Sequence, residues 1–376
     1  MKNLLAGWLV IIALSFNASS FEDDAANSKK LPITVEKAVA ELDAFISQLT
    51  KDDTFSGTIL WAKDDTVLYK SARGMASKRF NVANNLETKF NLASLNKMFT
   101  ATAIMRLVEA NQLSLTDTLD TFVDESWLPQ VLSNKIQIQH LLTHSSGLGS
   151  YFTDEFFSTS KTRFVELEDF KPIVKNDTLE FEPGTGYRYS NNGMLLLGVV
   201  IEVVTDTSYF DHIDGAIYAP AGMQNSGCFP RSQPIQNLAV GYHANPEKKT
   251  GWETNYLWIA DKGGPAGGCY SNVDDMHGFA KALTGNILLN QKNTEAMYAS
   301  KPEFHEKSYG YGFKISGAPN NRIVGHRGGF IGMSSNLDIF LDSGYVSVVL
   351  SNHSGGSIPV YEKIRDLVEQ LEAHNP

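Results

Sequence analysis

The sequence predicts a mixed α/β (α+β) fold in which an antiparallel sheet is flanked by terminal helices and carries an inserted, mainly helical lobe. Strand-like runs lie towards both ends of the chain, and both ends also show helical periodicity. The middle shows helices and loops without clear strand alternation. The sheet is therefore assembled from both ends, with the sheet part at about 35–114 and 265–376 and the helical lobe at about 115–264.

Hydrophobic spacing places the individual elements along the chain. Residues 35–49 carry one apolar stripe at helical spacing and residues 359–373 carry another, so a helix is predicted near each terminus. Helices are also predicted within the lobe, at 138–142 and 194–205. The predicted strands, of which the first two form a hairpin, are 55–62, 66–71, 308–315, 322–325, 333–340 and 345–351.

Composition restricts the class of protein. The chain has 376 residues, of which 42% are hydrophobic and 20% charged, and this is typical of a globular protein with a large core. The formal net charge is −10, and no basic cluster with interleaved aromatic residues is present in the sequence. We therefore expect no nucleic acid partner.

The first 20 residues have the pattern of a signal peptide. Lys2 precedes an apolar run at 4–16, and small residues follow at 18–20. The run is shorter than the about 20 residues needed to span a bilayer, and no later run is long enough. We expect an exported protein, periplasmic or secreted, with no stable membrane span after signal cleavage and with one domain at 21–376.

Ser94 and Lys97 form the first candidate catalytic pair. They lie at the start of an apolar helical pattern, so one helical turn would place the hydroxyl and the amine on the same face. A serine hydroxyl needs a neighbouring base, and a lysine can serve when desolvation removes its proton. A second Ser-x-x-Lys, from Ser158 to Lys161, lies in an aromatic and polar stretch without that helix, so Ser94 is favoured.

Tyr189 and Asn191 form the second candidate motif. They lie in a loop rich in Gly and Pro, just before the apolar helix at 194–205, where side chains can be presented to a cleft. A phenol near an ammonium can relay a proton, and an amide can orient both a lysine and a substrate carbonyl. Taken alone, Tyr189 is better explained as a half-buried aromatic residue and Asn191 as a helix cap.

His326 and Gly328 form the third motif, on a strand whose glycines allow a ligand to approach the backbone closely. A backbone N–H there can pair with that of Ser94 as an oxyanion hole. Taken alone, this segment is better explained as a glycine-rich turn with an exposed histidine. The three motifs together, in this order, point to nucleophilic catalysis by serine.

With these motifs the chain resembles the serine β-lactamase and penicillin-binding-protein superfamily, specifically its class C-like branch of esterases, D-amino-acid peptidases and β-lactamases. Residues 140–148 and 267–271 are also similar to framework segments of that family, so the resemblance covers nearly the whole mature chain. It implies a β-lactamase/transpeptidase-like fold and a small-molecule or peptide acyl substrate.

The resemblance also implies a role for each site residue. Ser94 would be the acylated nucleophile, Lys97 its base, and Tyr189 a proton shuttle to the leaving group. The backbone N–H groups of Ser94 and Gly329 would stabilise the oxyanion. The substrate-binding residues would be Asn191, His326, Gly328 and Gly329.

Some other residues match functional motifs but are not assigned to the site. Residues 249–251 match the family's alternative third motif, but they lie in a polar stretch without a strand, so we favour 326–328. His140 and His144 have the spacing of a zinc pair without a third ligand and are expected to fix core or loop structure. We assign no metal and no cofactor. Cys228 and Cys269 either pair in an oxidising compartment or remain two buried thiols.

The residue at position 326 bears on the substrate. Family members that hydrolyse penicillins usually have Lys where this chain has His326, and a neutral imidazole attracts a substrate carboxylate less well. Arg327 is expected on the opposite face of the strand. The main hypothesis is therefore hydrolysis of an ester, or of a peptide or amide with a D-residue, through an acyl-serine. A β-lactamase or D-alanyl-D-alanine carboxypeptidase, and a slow-turnover penicillin-binding sensor or scaffold, are the alternatives.

Overall fold

The computed structural model describes residues 33–304 and 308–373, so the expected signal peptide lies outside the described residues. The strands are β1 (Gly57–Lys63), β2 (Thr66–Arg73), β3 (Met75–Ser77), β4 (Val82–Ala83), β5 (Phe90–Asn91), β6 (Tyr242–Ala244), β7 (Trp252–Thr254), β8 (Tyr270–Ser271), β9 (Lys314–Ala318), β10 (Asn321–Phe330), β11 (Met333–Phe340) and β12 (Tyr345–Ser351). The α-helices are α1 (Val35–Lys51), α2 (Asn96–Glu109), α3 (Gln130–Ser133), α4 (Ile138–Leu142), α5 (Asp154–Ser158), α6 (Lys171–Val174), α7 (Asn191–Thr205), α8 (Tyr209–Ile213), α9 (Val273–Thr284), α10 (Gln291–Tyr298) and α11 (Ile358–Glu372).

The main sheet has six strands in the order β2-β1-β12-β11-β10-β9, and every neighbouring pair is antiparallel. β1 pairs with β12, with Gly57 opposite Ser351. The first and last strands of the chain therefore meet inside the sheet, which confirms that the sheet is built from both ends.

The two faces of this sheet carry different helices. Ile59 and Trp61 of β1 share a buried cluster with residues of both α1 and α11, so the two terminal helices cover the same face. Leu60 points the other way, into a larger core that contains residues of α2, α7 and α9. This alternation is the period-two pattern of a strand that is buried on both sides. The catalytic motifs lie on the face of the larger core.

The strand predicted at 308–315 is wrong for most of its length, because β9 begins only at Lys314. The preceding residues form a turn in which Gly312 has φ of +76° and donates its N–H to the carbonyl of Leu142, 3.1 Å away. The strand-like run in the sequence therefore belongs to a loop that packs against α4. β6 and β7, with three residues each, also lie within the predicted helical lobe and are too short to show alternation.

The other predicted strands and the terminal helices agree with the structure, although β10 continues to Phe330, beyond the predicted end at residue 325. No single helix within residues 33–304 and 308–373 is long and apolar enough to cross a membrane. The helical segments Asn191–Thr205 and Tyr209–Tyr218, which are bent by 83° relative to each other, meet the criterion of length and composition only as a pair.

Candidate active site

Ser94 lies in a 3-10 turn, Ala93–Leu95, that leads directly into α2. Ala93 has φ of +46°, in the left-handed region that residues other than glycine seldom adopt. The carbonyl of Ala93 accepts the N–H of Gly268 at 3.2 Å, which holds the turn in place. Ser94 itself is partly exposed and lines a cleft between the sheet and the helical lobe.

A disulfide joins Cys228 to Cys269, so the thiols that the sequence left open are paired. The carbonyl of Cys269 accepts the N–H of Leu92, two residues before Ser94, at 2.8 Å. The disulfide is therefore linked, through one hydrogen bond, to the segment that carries the candidate nucleophile.

The amine of Lys97 is buried and contacts three oxygen atoms. Its Nζ lies 3.2 Å from Ser94 Oγ, 2.8 Å from Asn191 Oδ1 and 2.5 Å from the carbonyl oxygen of Ala266. Burial lowers the pKa of Lys97 well below its ordinary value, which favours the neutral amine. A neutral amine donates two hydrogen bonds here, to the two carbonyl-type oxygens, and directs its lone pair at the Ser94 hydroxyl. That is the arrangement of a general base.

Asn191 is the first residue of α7, but it is not the cap of that helix. The cap is Ser190, whose Oγ accepts the N–H of Gly193 at 2.8 Å. The Asn191 side chain is therefore available to the site, and its Nδ2 donates to Oγ of Ser150 at 2.9 Å. This bond orients the amide so that its oxygen faces Lys97.

Tyr189 lies on the other side of the same amine. The centre of its ring lies 4.7 Å from Lys97 Nζ, and its hydroxyl faces the side chain of Ser94. Burial raises the pKa of Tyr189, so the phenol keeps its proton at neutral pH. A protonated hydroxyl beside the nucleophile can donate to a departing group and recover a proton from the amine.

A chain of buried hydrogen bonds connects the second motif to the third, and its tautomers can be assigned. Ser190 donates its N–H to Nδ1 of His144 at 3.1 Å, so Nε2 of a neutral His144 carries the proton and donates to the hydroxyl of Tyr309 at 3.2 Å. Tyr309 then donates to Nε2 of His326 at 3.0 Å, and Nδ1 of His326 donates to the carbonyl of Arg327 at 2.6 Å. Burial is the main reason why the pKa of each histidine lies well below its ordinary value.

The glycines after His326 bring β10 against the 3-10 turn Ala93–Leu95, which carries Ser94 and is called the nucleophile turn below. A Cβ added at Gly328 would lie 2.2 Å from the carbonyl oxygen of Leu92 and 2.4 Å from Oγ of Ser335, so only glycine fits there. Gly329 has open space around it and lines the cleft. Pairing between β9 and β10 ends at Gly325, which leaves the last part of β10 without a partner from β9.

The cleft above Ser94 contains about 550 Å³ of open space. Its polar lining includes Asn91, Ser94 and Asn191, and no Asp, Glu, Lys or Arg of the described chain lines it. The larger apolar side chains that line it are Tyr151, Phe152, Phe156, Ile259, Phe330 and Met333. Arg327 lines a different cleft, together with Asn336 and Arg365.

Of the seven residues that the sequence predicts for the site, Ser94, Asn191 and Gly329 line the cleft, and Lys97 and Tyr189 lie directly behind it. Gly328 packs against the carbonyl of Leu92, while His326 belongs to the buried hydrogen-bond network and lines the second cleft beside Arg327. The structure also adds two residues that sequence reasoning did not assign there, Tyr309 and Ser150. The only available signal for Ser150 was its position just after the 140–148 segment. Tyr309 gave no signal, because its segment has the sequence character of a strand.

The residues that imitate motifs have other partners. Lys161 donates to the carbonyls of Phe156 and Thr159, both at 2.6 Å, while Oγ of Ser158 donates to the carbonyl of Glu155. Residues 249–251 lie between β6 and β7. Nδ1 of His140 accepts the N–H of Gln137 at the start of α4. Within the described ranges, no group of three or more His, Cys, Asp or Glu side chains could hold a metal ion.

Comparison with known proteins assigns the family. Residues 42–369 match the sequence model of the Beta-lactamase family. The chain belongs to the Beta-lactamase family. This confirms the resemblance inferred from the three motifs, and the antiparallel sheet with its helices is the fold of that family.

Three members of the Beta-lactamase family illustrate the range of similarity. Penicillin-binding protein 4* of Bacillus subtilis (strain 168) is 31% identical over 328 residues, which are 83% of this chain and 71% of that protein. Esterase EstB of Burkholderia gladioli is 29% identical over 61% of this chain and 59% of its own length. The crystal structure of a penicillin-binding protein from Bacillus halodurans has a TM-score of 0.77 and 30% identity, and the match covers 86% of this chain and 98% of that one. The chain is thus a serine hydrolase of the Beta-lactamase family.

Proposed function

We propose that this protein hydrolyses an ester or amide whose reacting part carries no carboxylate, through an acyl-serine intermediate. The observation that carries the proposal is the contact between the buried amine of Lys97 and the hydroxyl of Ser94, at 3.2 Å. A neutral amine in that position can accept the hydroxyl proton as the oxygen attacks.

The geometry supports a complete cycle. Oγ of Ser94 attacks the acyl carbon while Lys97 takes its proton, and the N–H groups of Ser94 and Gly329 stabilise the negative charge on the acyl oxygen. Tyr189 donates its proton to the leaving oxygen or nitrogen and is reprotonated by the Lys97 ammonium. In the second half, a water gives up a proton along the same path and attacks the ester carbon, which releases the acid and restores Ser94.

His326 supports the preference for a substrate without a carboxylate. Its imidazole is buried and neutral, and both ring nitrogens are engaged in hydrogen bonds. It therefore offers no positive charge to a substrate carboxylate, whereas the Lys at this position in penicillin-hydrolysing family members would offer one. Esters and amides, including amides with a D-residue, are the proposed substrates. Preferential turnover of β-lactams or of peptides ending in D-alanine would overturn this preference.

We also propose that the protein is exported to the periplasm or secreted. The pattern of residues 1–20 supports this, and so does the Cys228–Cys269 disulfide, because disulfides persist mainly in oxidising compartments.

Intact mass measurement after exposure to a fluorophosphonate, with mapping of the labelled peptide, tests the function. We expect one adduct on Ser94, complete loss of labelling in Ser94→Ala, and full labelling in the matched variant Ser158→Ala. Labelling that survives in Ser94→Ala would contradict the assignment. Release of many product equivalents per enzyme would exclude a penicillin-binding sensor or scaffold that is acylated once.

A further inference from the structure

We propose that the acyl group accepted by this enzyme is large, apolar and uncharged, a medium or long alkyl chain or an aryl-bearing group, and that it binds against a stacked pair formed by Phe152 and Phe330. The inference rests on the proposed acyl-serine function and names the substrate class of that same site.

The stacked pair lies across the cleft. The rings of Phe152 and Phe330 are nearly parallel, at 11°, with centroids 4.9 Å apart. Phe152 comes from the loop between α4 and α5, and Phe330 is the last residue of β10. Both line the same cleft as Ser94, and Phe330 directly follows Gly329, whose N–H is the proposed oxyanion donor. A group attached to the acyl carbon therefore has aromatic surface within reach.

Aromatic side chains continue from this pair in both directions. Inward, Phe152 packs against Tyr151 at 4.8 Å and against the fully buried Phe156 at 5.2 Å, measured between ring centroids. Outward, Phe152 is followed by Phe157 at 6.1 Å, which contacts Trp258 at 6.3 Å. Phe157 and Trp258 are 41% and 37% exposed. The aromatic surface thus continues beyond the residues that line the cleft, to two partly exposed side chains.

The loop that carries Phe152 is tied to the catalytic residues. Oγ of Ser150 accepts both the Nδ2 group of Asn191 at 2.9 Å and the N–H of Phe152 at 3.3 Å. Asn191 in turn contacts the amine of Lys97. The stacked pair is therefore held at a fixed position relative to the nucleophile, which is what an acyl-binding site requires.

The uncharged lining of the cleft disfavours acyl groups that carry a charge. No acidic or basic side chain of the described residues lines it, so a substrate ammonium or carboxylate would lose its hydration without gaining a counter-charge. This argues against an acyl group with a free α-amine, so among the amides with a D-residue it favours those whose D-residue has a blocked amine or lies in the leaving group.

The test is a series of p-nitrophenyl esters, acetate, butyrate, hexanoate and phenylacetate, with D-phenylalanine p-nitroanilide and its N-acetyl derivative as a charged and uncharged pair. We expect kcat/KM to rise about fourfold for each methylene that is buried, and the charged anilide to be poorer than its N-acetyl derivative. In Phe152→Ala and Phe330→Ala, the ratio of hexanoate to acetate should fall at least about tenfold. In the matched control Phe80→Ala, a 74% exposed phenylalanine outside the cleft, the ratio should not change.

The outcomes separate the two proposals. Equal kcat/KM across the esters, with turnover that disappears in Ser94→Ala, overturns the acyl-group proposal and leaves the hydrolase function standing. Absence of any Ser94-dependent turnover overturns the function itself. If Phe152→Ala does not fold, Phe152→Leu tests the role of the stacked ring, because a leucine keeps apolar volume but cannot stack. It should retain the preference for hexanoate and lose that for phenylacetate, and retention of both would overturn the stacking role.

Discussion

Nε2 of His326 lies 3.0 Å from the hydroxyl of Tyr309, and this bond ties the third motif to the rest of the site. Because Tyr309 has one proton to donate and receives one from His144, the direction of the whole chain of hydrogen bonds is fixed. The imidazole of His326 is thus kept neutral and is oriented by hydrogen bonds at both ring nitrogens.

Replacement of Tyr309 tests this chain. Tyr309→Phe leaves Nε2–H of His144 without its acceptor and Nε2 of His326 without its donor. Since an unsatisfied buried polar group costs about 1–3 kcal/mol, we expect the free energy of unfolding in urea to fall by about 2 kcal/mol or more. Tyr298 is the matched control, because its buried hydroxyl has no hydrogen-bond partner among the described residues, and Tyr298→Phe should be neutral or stabilising. Equal losses in both variants would contradict the assignment.

Removal of the Lys97 amine tests the general base. In the wild-type protein, labelling of Ser94 should accelerate as Lys97 loses its proton and level off well below the usual lysine pKa of about 10.4, because burial lowers the pKa. Lys97→Met should slow labelling about 100-fold or more and abolish this inflection. Lys161→Met removes another buried lysine, whose amine donates to the backbone carbonyls of Phe156, Phe157 and Thr159, and should keep the inflection. An unchanged profile in Lys97→Met would exclude Lys97 as the base.

Asn191→Asp tests the same pair by changing charge rather than removing the amine. A carboxylate 2.8 Å from Nζ would favour the ammonium and raise the pKa of Lys97. Labelling of Ser94 should therefore slow at neutral pH and recover as the pH is raised, in contrast to Lys97→Met, which should not recover. If Asn191→Asp slowed labelling by the same factor at every pH, Asn191 would not act through the pKa of Lys97.

Gly328 and Gly329 offer a matched pair of substitutions. Gly328→Ala places a Cβ 2.2 Å from the carbonyl oxygen of Leu92, so β10 and the nucleophile turn must separate. We expect lower stability and loss of labelling at Ser94. Gly329→Ala meets nothing within 4 Å and should retain the stability of the wild type. Thermal unfolding of the two variants decides, and equal tolerance of both substitutions would contradict the close approach.

The buried histidines predict how stability depends on pH. Burial lowers the pKa of His144 and His326, so as the pH falls below about 6.5 the unfolded chain binds protons that the folded protein does not. Stability is then full above that pH and declines below it, by about 1.4 kcal/mol per pH unit for each such histidine until its folded pKa is reached. His326→Gln should reduce the slope of unfolding free energy against pH, measured between pH about 6 and 5, by one such contribution. A slope equal to that of the wild type would show that His326 takes up a proton in the folded protein.

The sequence was sufficient for the elements and residues whose signal is local. Ser94 and Lys97 are one helical turn apart, and β11 and β12 are long enough to show their pattern. It failed where the outcome depends on distant parts of the chain. The turn that carries Tyr309 is fixed by a hydrogen bond from Gly312 to α4, more than a hundred residues earlier, and sequence spacing contains no trace of that contact.

The sequence could not predict which cysteines or aromatic residues pair, because these contacts also join distant parts of the chain. Whether Cys228 and Cys269 bond depends on the distance between their Cβ atoms, which only the folded loops determine. Phe152 belongs to a visibly aromatic stretch, but its stacking partner, Phe330, lies on the opposite side of the cleft at the end of β10.

The pairing of β1 with β12 has a consequence for synthesis. Gly57 emerges from the ribosome well before its partner, Ser351, which lies nearly 300 residues later in the sequence. Until then one edge of the β1–β2 hairpin lacks its neighbour and is available to other chains. A nascent or truncated chain that ends before β12 therefore cannot complete the sheet, and we expect it to depend on chaperones or to aggregate rather than to fold into a smaller, partly active protein.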